Sequence, residues 1–154
     1  MTARSIPSIE ALIPHRGSML MLDRVEAYDE QSVSASYLIP DAAWYMETDG
    51  TMPAWVGLEL MAQAVAAHCT LVSGAPGAKP KMGVLLGTRA YECRGSRFAS
   101  HEVLNVTARI AYVESGGLGA YDCAIERGEE VLATATLKVF EPSDFDAFIK
   151  DAAA

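Results

Sequence analysis

The chain has 154 residues, 51% of them hydrophobic and 21% charged, with a formal net charge of −8. That size and composition describe one folded domain spanning 1–154 with its own core, and they exclude a disordered chain. The acidic balance argues against nucleic acid or an anionic membrane surface as a principal partner.

In chain order, residues 8–13 read as a short helix, with Ser8 as its N-cap and Pro14 as its stop. Residues 18–27 read as a first strand, followed by a turn at 28–31. Residues 32–39 alternate and are rich in Val, Ser and Tyr, which predicts the antiparallel return. An irregular loop over 40–52 carries Trp44, Tyr45, Glu47, Asp49 and Gly50. The long helix then starts at Pro53, a residue suited to a first helical turn. It ends near Ser73 and Gly74, the latter supplying a left-handed cap. Leu60, Val65 and Leu71 are its predicted deep core positions. Beyond Pro80 the pattern changes to strands over 82–93, 102–114, 118–127 and 130–140. Gly116, Gly117 and Gly128 supply the turns between them. Residues 144–150 form a last short helix, and 151–154 fray. One long helix among antiparallel strands is an α+β layout, with the sheet wrapped around the helix.

Three cysteines, Cys69, Cys93 and Cys123, have no disulfide or zinc spacing and read as small buried hydrophobes of a reducing compartment. Residues 1–16 lack the apolar region of a signal peptide, so the expected location is cytoplasmic. The apolar run over 53–72 is long enough to span a bilayer, but Glu59, Gln63 and His68 interrupt it, and a core helix is the better reading. Scattered His and Cys residues predict no metal site. With no phosphate-cradling glycine loop after a strand, no cofactor is expected.

Glu59 is the only Asp, Glu, Lys or Arg between Asp49 and Lys79. A carboxylate among Leu, Met, Ala and Val costs free energy unless it is neutralised or hydrogen-bonded. Desolvation is expected to raise its pKa, which suits it to acid/base work. Gln63 lies one turn on and shares its face, so its amide is placed to orient the carboxyl group. The plainer alternative, an exposed Glu on a surface helix, requires a polar face that this helix lacks. His68, nine residues beyond Glu59, points to the opposite face and reads as a core or interface residue. His101 follows a polar turn and reads as a surface residue.

Two segments resemble the hotdog-fold dehydratases that act on 3-hydroxyacyl groups carried by acyl carrier protein. Ile13-Pro14-His15-Arg16-Gly17-Ser18-Met19-Leu20 looks like that family's Leu-Pro-His-Arg signature leading into its first strand. Met52-Pro53 through Glu59 to Met61-Ala62-Gln63-Ala64 looks like its Met-Pro-Gly…Glu-Ala-Met-Ala-Gln helix start, with the Pro-to-Glu spacing kept. The finer pattern Pro53-Ala54-Trp55-Val56-Gly57-Leu58-Glu59 is similar to the branch associated with aryl polyene biosynthesis. The resemblance implies a hotdog fold and a dehydratase of fatty-acid-type biosynthesis. It also implies an acyl carrier protein or coenzyme A thioester substrate, and a homodimer or hotdog heterodimer.

The departure lies in the loop before the helix. The family places a His there, in Gly-His-Phe-Pro-Gly, to take the α-proton while the helix Glu assists departure of the hydroxyl. Counted back from Pro53, that position falls on Tyr45. A phenol of ordinary pKa, about 10, is a poor base at neutral pH. His15 is the candidate substitute, against a structural role of bonding the loop and fixing Arg16 and Asp23. On this reading Glu59 and His15 are catalytic and Gln63 and Tyr45 line the substrate site. The helix start, placed at Pro53, Ala54 and Trp55, would offer its free backbone N–H groups to the thioester oxygen. Two other readings compete: a non-catalytic hotdog subunit paired with an active dehydratase, and a hotdog thioesterase.

Overall fold

The structure is a computed structural model that describes residues 5–74, 77, 79, 80 and 82–154. After α1 (Ile9–Leu12) and a 3₁₀ turn (Gly17–Met19) come β1 (Arg24–Tyr28), β2 (Ser32–Leu38) and the short β3 (Thr51–Pro53). The central helix α2 (Val56–Val72) follows, then β4 (Val84–Cys93), β5 (Arg97–Ala99), β6 (Val103–Val113), β7 (Leu118–Arg127), β8 (Glu130–Phe140) and α3 (Phe145–Ala153). Among the described residues, six strands form one antiparallel sheet in the order β1-β2-β6-β7-β8-β4, and β3 pairs with β5 in a separate two-stranded sheet.

The alternation of the long strands explains the layering. Val33, Ala35 and Tyr37 of β2 point inward, as do Leu104, Val106 and Ala108 of β6 and Tyr121, Cys123 and Ile125 of β7. These side chains close over α2, whose Leu60, Met61 and Ala64 are fully buried. Two of the three predicted deep positions hold, since Val65 is buried as well, but Leu71 is only half-buried. Gly74 takes a φ of +75°, the left-handed conformation its place at the helix end requires.

Four expectations are corrected. Residues 18–23 are not strand, because the backbone N–H groups of Met21 and Leu22 donate to the Gln63 side chain instead of to a neighbouring strand. The long helix begins at Val56, since Met52 and Pro53 are used by β3, which pairs antiparallel with β5. Neither of those three-residue strands was anticipated. Residues 151–153 are helical, in an α3 whose start is capped by Asp144 accepting from the Ala147 N–H at 2.9 Å. Ser8 does stand at the N-cap of α1, but its hydroxyl makes no capping bond.

Candidate active site

Gln63 organises the site. Its side chain is wholly buried on α2, and its Oε1 accepts from the backbone N–H groups of Met21 (3.1 Å) and Leu22 (3.3 Å). Its Nε2 donates to the Met19 carbonyl (2.6 Å) and to Glu59 Oε1 (2.9 Å). Two lone pairs and two protons are all that an amide offers, so Gln63 has nothing left for a substrate. It positions Glu59 and pins residues 19–22 against the helix.

That tether brings His15 to Glu59, with Nε2 3.3 Å from Oε1. His15 Nδ1 is buried and has no hydrogen-bond partner among the described residues. Arg16 is held elsewhere, by the carbonyls of Ile13, His15 and Glu10, and Asp23 accepts from the Leu38 N–H. His15 therefore does not fix Arg16 or Asp23 by side-chain bonds; it pairs with the helix carboxylate.

The pairing corrects the expected ionisation of Glu59. Burial pushes its pKa up, but the hydrogen bonds from His15 and Gln63 and the charge of His15 outweigh that, and the value falls below the ordinary 4.5. About a third of the Glu59 side chain remains accessible, which weakens desolvation. At neutral pH Glu59 is a carboxylate. Both recorded bonds fall on Oε1, leaving Oε2 without a protein partner among the described residues.

Glu59 and His15 face a cavity of about 250 Å³. One wall is the α2 face carrying Ala62, Ala66 and Cys69, and the other comes from Val84 and Leu85 of β4 and Val139 and Phe140 of β8. Sequence reasoning missed this wall. The signal was present in the spacing of small residues at 62, 66 and 69, in register with Glu59.

The other predicted site residues sit apart from this cavity. Tyr45 is buried, with its hydroxyl against that of Tyr37 in a close O–H···O contact. The Ala54 N–H donates to the Ser96 carbonyl at 2.9 Å, and Pro53 has no N–H to give. Trp55 is 56% exposed and leans on Trp44, with ring centroids 6.4 Å apart. His68 is buried on the far face of α2, with Nε2 2.9 Å from the Asp29 carbonyl and Nδ1 3.2 Å from the Tyr121 hydroxyl. It is the core residue expected. His101 is at the surface, paired with Asp41. Among the described residues, no group of three His, Cys, Asp or Glu could hold a metal ion, and no helix is long and apolar enough to cross a membrane.

A family model for ApeP dehydratases, the ApeP-like family, matches residues 7–150. The chain belongs to that family. Among solved structures it is similar to the dehydratase heterocomplex ApeI:P from Xenorhabdus doucetiae, at 21% identity and a TM-score of 0.88, covering 97% of this chain and 100% of that one. The E. coli PaaI protein from the phenylacetic acid degradation operon matches at 14% identity and a TM-score of 0.59, covering 76% and 81%. A mutant hypothetical thioesterase from Streptococcus pneumoniae matches at 14% and 0.60, covering 77% and 88%. No curated protein matches. The α+β hotdog fold expected from the sequence is thus the fold of this ApeP-like chain, and dehydratase is its family's activity.

Proposed function

We propose that this ApeP-like protein dehydrates 3-hydroxyacyl thioesters, carried on acyl carrier protein, to trans-2-enoyl thioesters in aryl polyene biosynthesis. The observation that carries the reading is the His15–Glu59 pair at the mouth of a cavity with apolar walls. Dehydration removes a proton from the α-carbon and adds one to the departing β-hydroxyl, so the pair needs one base and one acid. With Glu59 ionised, its Oε2 takes the α-proton, and the proton on His15 goes to the hydroxyl, which leaves as water. The C–H electron pair becomes the new double bond as the C–O bond breaks. The proton gained by Glu59 then returns to His15 across their contact, and the site is restored. This assigns Glu59 as base and His15 as acid, because the carboxyl pKa is lowered. The sequence alone suggests Glu59 as the acid, with either His15 or Glu59 itself, acting twice through a water, as the base.

A second reading has its own support. Tyr45 stands where the family's loop His would be, and its hydroxyl is buried against Tyr37. The similar Xenorhabdus structure is a heterocomplex. A chain that lacks the loop base and pairs with an active hotdog subunit would fit both observations.

Enoyl thioester hydration, the reverse reaction, separates the two. Glu59→Gln keeps the Gln63 contact but loses the proton acceptor, and the rate of the purified chain should fall about a hundredfold or more, as should that of His15→Ala. No turnover by the wild-type chain alone, with stimulation of a co-expressed hotdog dehydratase, would establish the second reading instead.

A further inference from the structure

Cys69 belongs to a chain of three side chains. Its sulfur lies 3.5 Å from the Tyr121 hydroxyl, which in turn lies 3.2 Å from His68 Nδ1. The far end of the chain fixes the direction of its protons. His68 Nε2 is 2.9 Å from the Asp29 carbonyl, which only accepts, so Nε2 carries a proton and Nδ1 of the neutral ring is a bare acceptor. Nδ1 takes the single Tyr121 O–H, and Cys69 is left to donate its S–H to the Tyr121 oxygen. The same contacts also serve the reversed order. With the thiol proton on Tyr121 and the Tyr121 proton on Nδ1, the imidazolium donates to the phenol oxygen and to Asp29, and the phenol donates to a thiolate. No heavy atom has to move. Burial pushes the Tyr121 pKa up, so the phenol passes a proton on and does not hold a charge itself.

The other two cysteines end at acceptors that are not bases. Cys123 Sγ donates to the Tyr121 carbonyl, and burial pushes its thiol up to about 12. Burial raises the Cys93 thiol as well; it reaches the Tyr91 hydroxyl, but that group donates to the Ala54 carbonyl. Cys69 is further set apart by open space. It lines the Glu59 cavity together with Val65, Ala66 and Val139, and it also lines a separate cleft of about 750 Å³ bordered by α3. Glu114, Asp144 and Asp151 border that cleft and repel anionic thiol reagents.

We propose that Cys69 is a nucleophile activated through Tyr121 by His68, and that it adds to apolar α,β-unsaturated carbonyl compounds seated against the wall it lines. The proposal is independent of the chemistry assigned to Glu59 and His15. The thiolate is the reactive form of cysteine, and the relay generates it in place. Apolar walls favour an electrophile that carries hydrocarbon. In the step, the thiol proton moves to Tyr121 as the Tyr121 proton moves to His68. The freed sulfur pair forms the S–C bond at the β-carbon, and the C=C pair shifts to give an enolate. The α-carbon then takes a proton from water, and His68 returns its proton through Tyr121 to the hydroxide left behind. An S–H has added across the double bond with no other reactant.

The test is labelling of the full chain with trans-3-nonen-2-one at neutral pH, read by intact mass and peptide mapping. A single adduct should form at Cys69, about tenfold or more faster than at Cys93 or Cys123, and Cys69→Ser should abolish it. Acrylamide, which lacks the hydrocarbon tail, should label Cys69 more slowly. Tyr121→Phe keeps the ring, removes the relay oxygen and should slow Cys69 labelling about tenfold or more. If Tyr121→Phe melts early, the wild-type chain in heavy water decides the same point. Cys69 labelling should slow there because two protons move in the step, which a merely exposed thiol would not show. Labelling of Cys93 at an equal rate, a folded Tyr121→Phe that reacts as fast as wild type, or an undiminished rate in heavy water overturns the activated nucleophile. Acrylamide reacting as fast as the enone overturns the preference for apolar electrophiles.

Discussion

At Glu59, burial opposes the neighbouring donors, and the donors prevail. The resulting low carboxyl pKa has a consequence for stability with a definite sign. The folded chain holds the Glu59 proton less tightly than the unfolded chain, so the pair contributes stability above about pH 4.5 and loses it as pH falls through the lower folded value. The stability difference between wild type and Glu59→Gln in urea should therefore shrink as pH is taken from neutral to below 4.5. A difference that grew with acidification would show a raised pKa and restore Glu59 as the acid. Glu59 and Gln63 were legible in the sequence because they lie one helical turn apart. His15 came into view only through the family resemblance, because it is 44 residues from Glu59 and no local period connects them.

Among the elements, α2 and the long strands were readable for the same reason: each repeats its own period for ten residues or more, and the buried positions follow it. The pair β3 and β5 has three residues per strand and no period to read, and β3 displaced the predicted helix start. The helix start is fixed instead by close packing. Gly57 sits under the Tyr91 hydroxyl and the Ile125 side chain, both closer than a methyl group would tolerate, and that hydroxyl donates to the Ala54 carbonyl. Gly57→Ala should improve local helix propensity yet destabilise the protein by roughly 1–3 kcal/mol, as overpacking does. Chemical denaturation decides it, and a more stable variant would mean that Tyr91 swings away without cost.

For the whole molecule, the two sheet edges are unlike. The outer strand β1 has five residues and carries an Arg24–Glu26 ion pair at 2.7 Å, a charged edge that discourages pairing. The other outer strand, β4, has ten residues and exposes Leu85 and Leu86, with a positive φ at Ala90 interrupting its register on β8. Association through β4 would seat a second chain beside Val84 and Leu85, which wall the Glu59 cavity. We expect sedimentation to show a dimer at micromolar concentration, of this chain alone or with a hotdog partner, and Leu86→Lys to weaken it. A chain that sediments as a monomer with and without such a partner would count against β4 as an interface.

The Gln63 amide grips residues 19–22 by their main chain and takes no account of which side chains they carry. Met19 is therefore under a positional constraint but hardly a chemical one, whereas Met21 and Leu22 must also fill the core. In a saturation scan read by folded yield and hydration activity, exposed Met19 should accept most replacements, because the carbonyl it contributes is common to all of them. Proline at 21 or 22 should fail even though it is apolar, since it deletes the N–H that Gln63 receives. Position 63 itself should tolerate almost nothing: few side chains present two acceptor sites and two protons in one plane, and the active-site carboxylate would drift with any that did not.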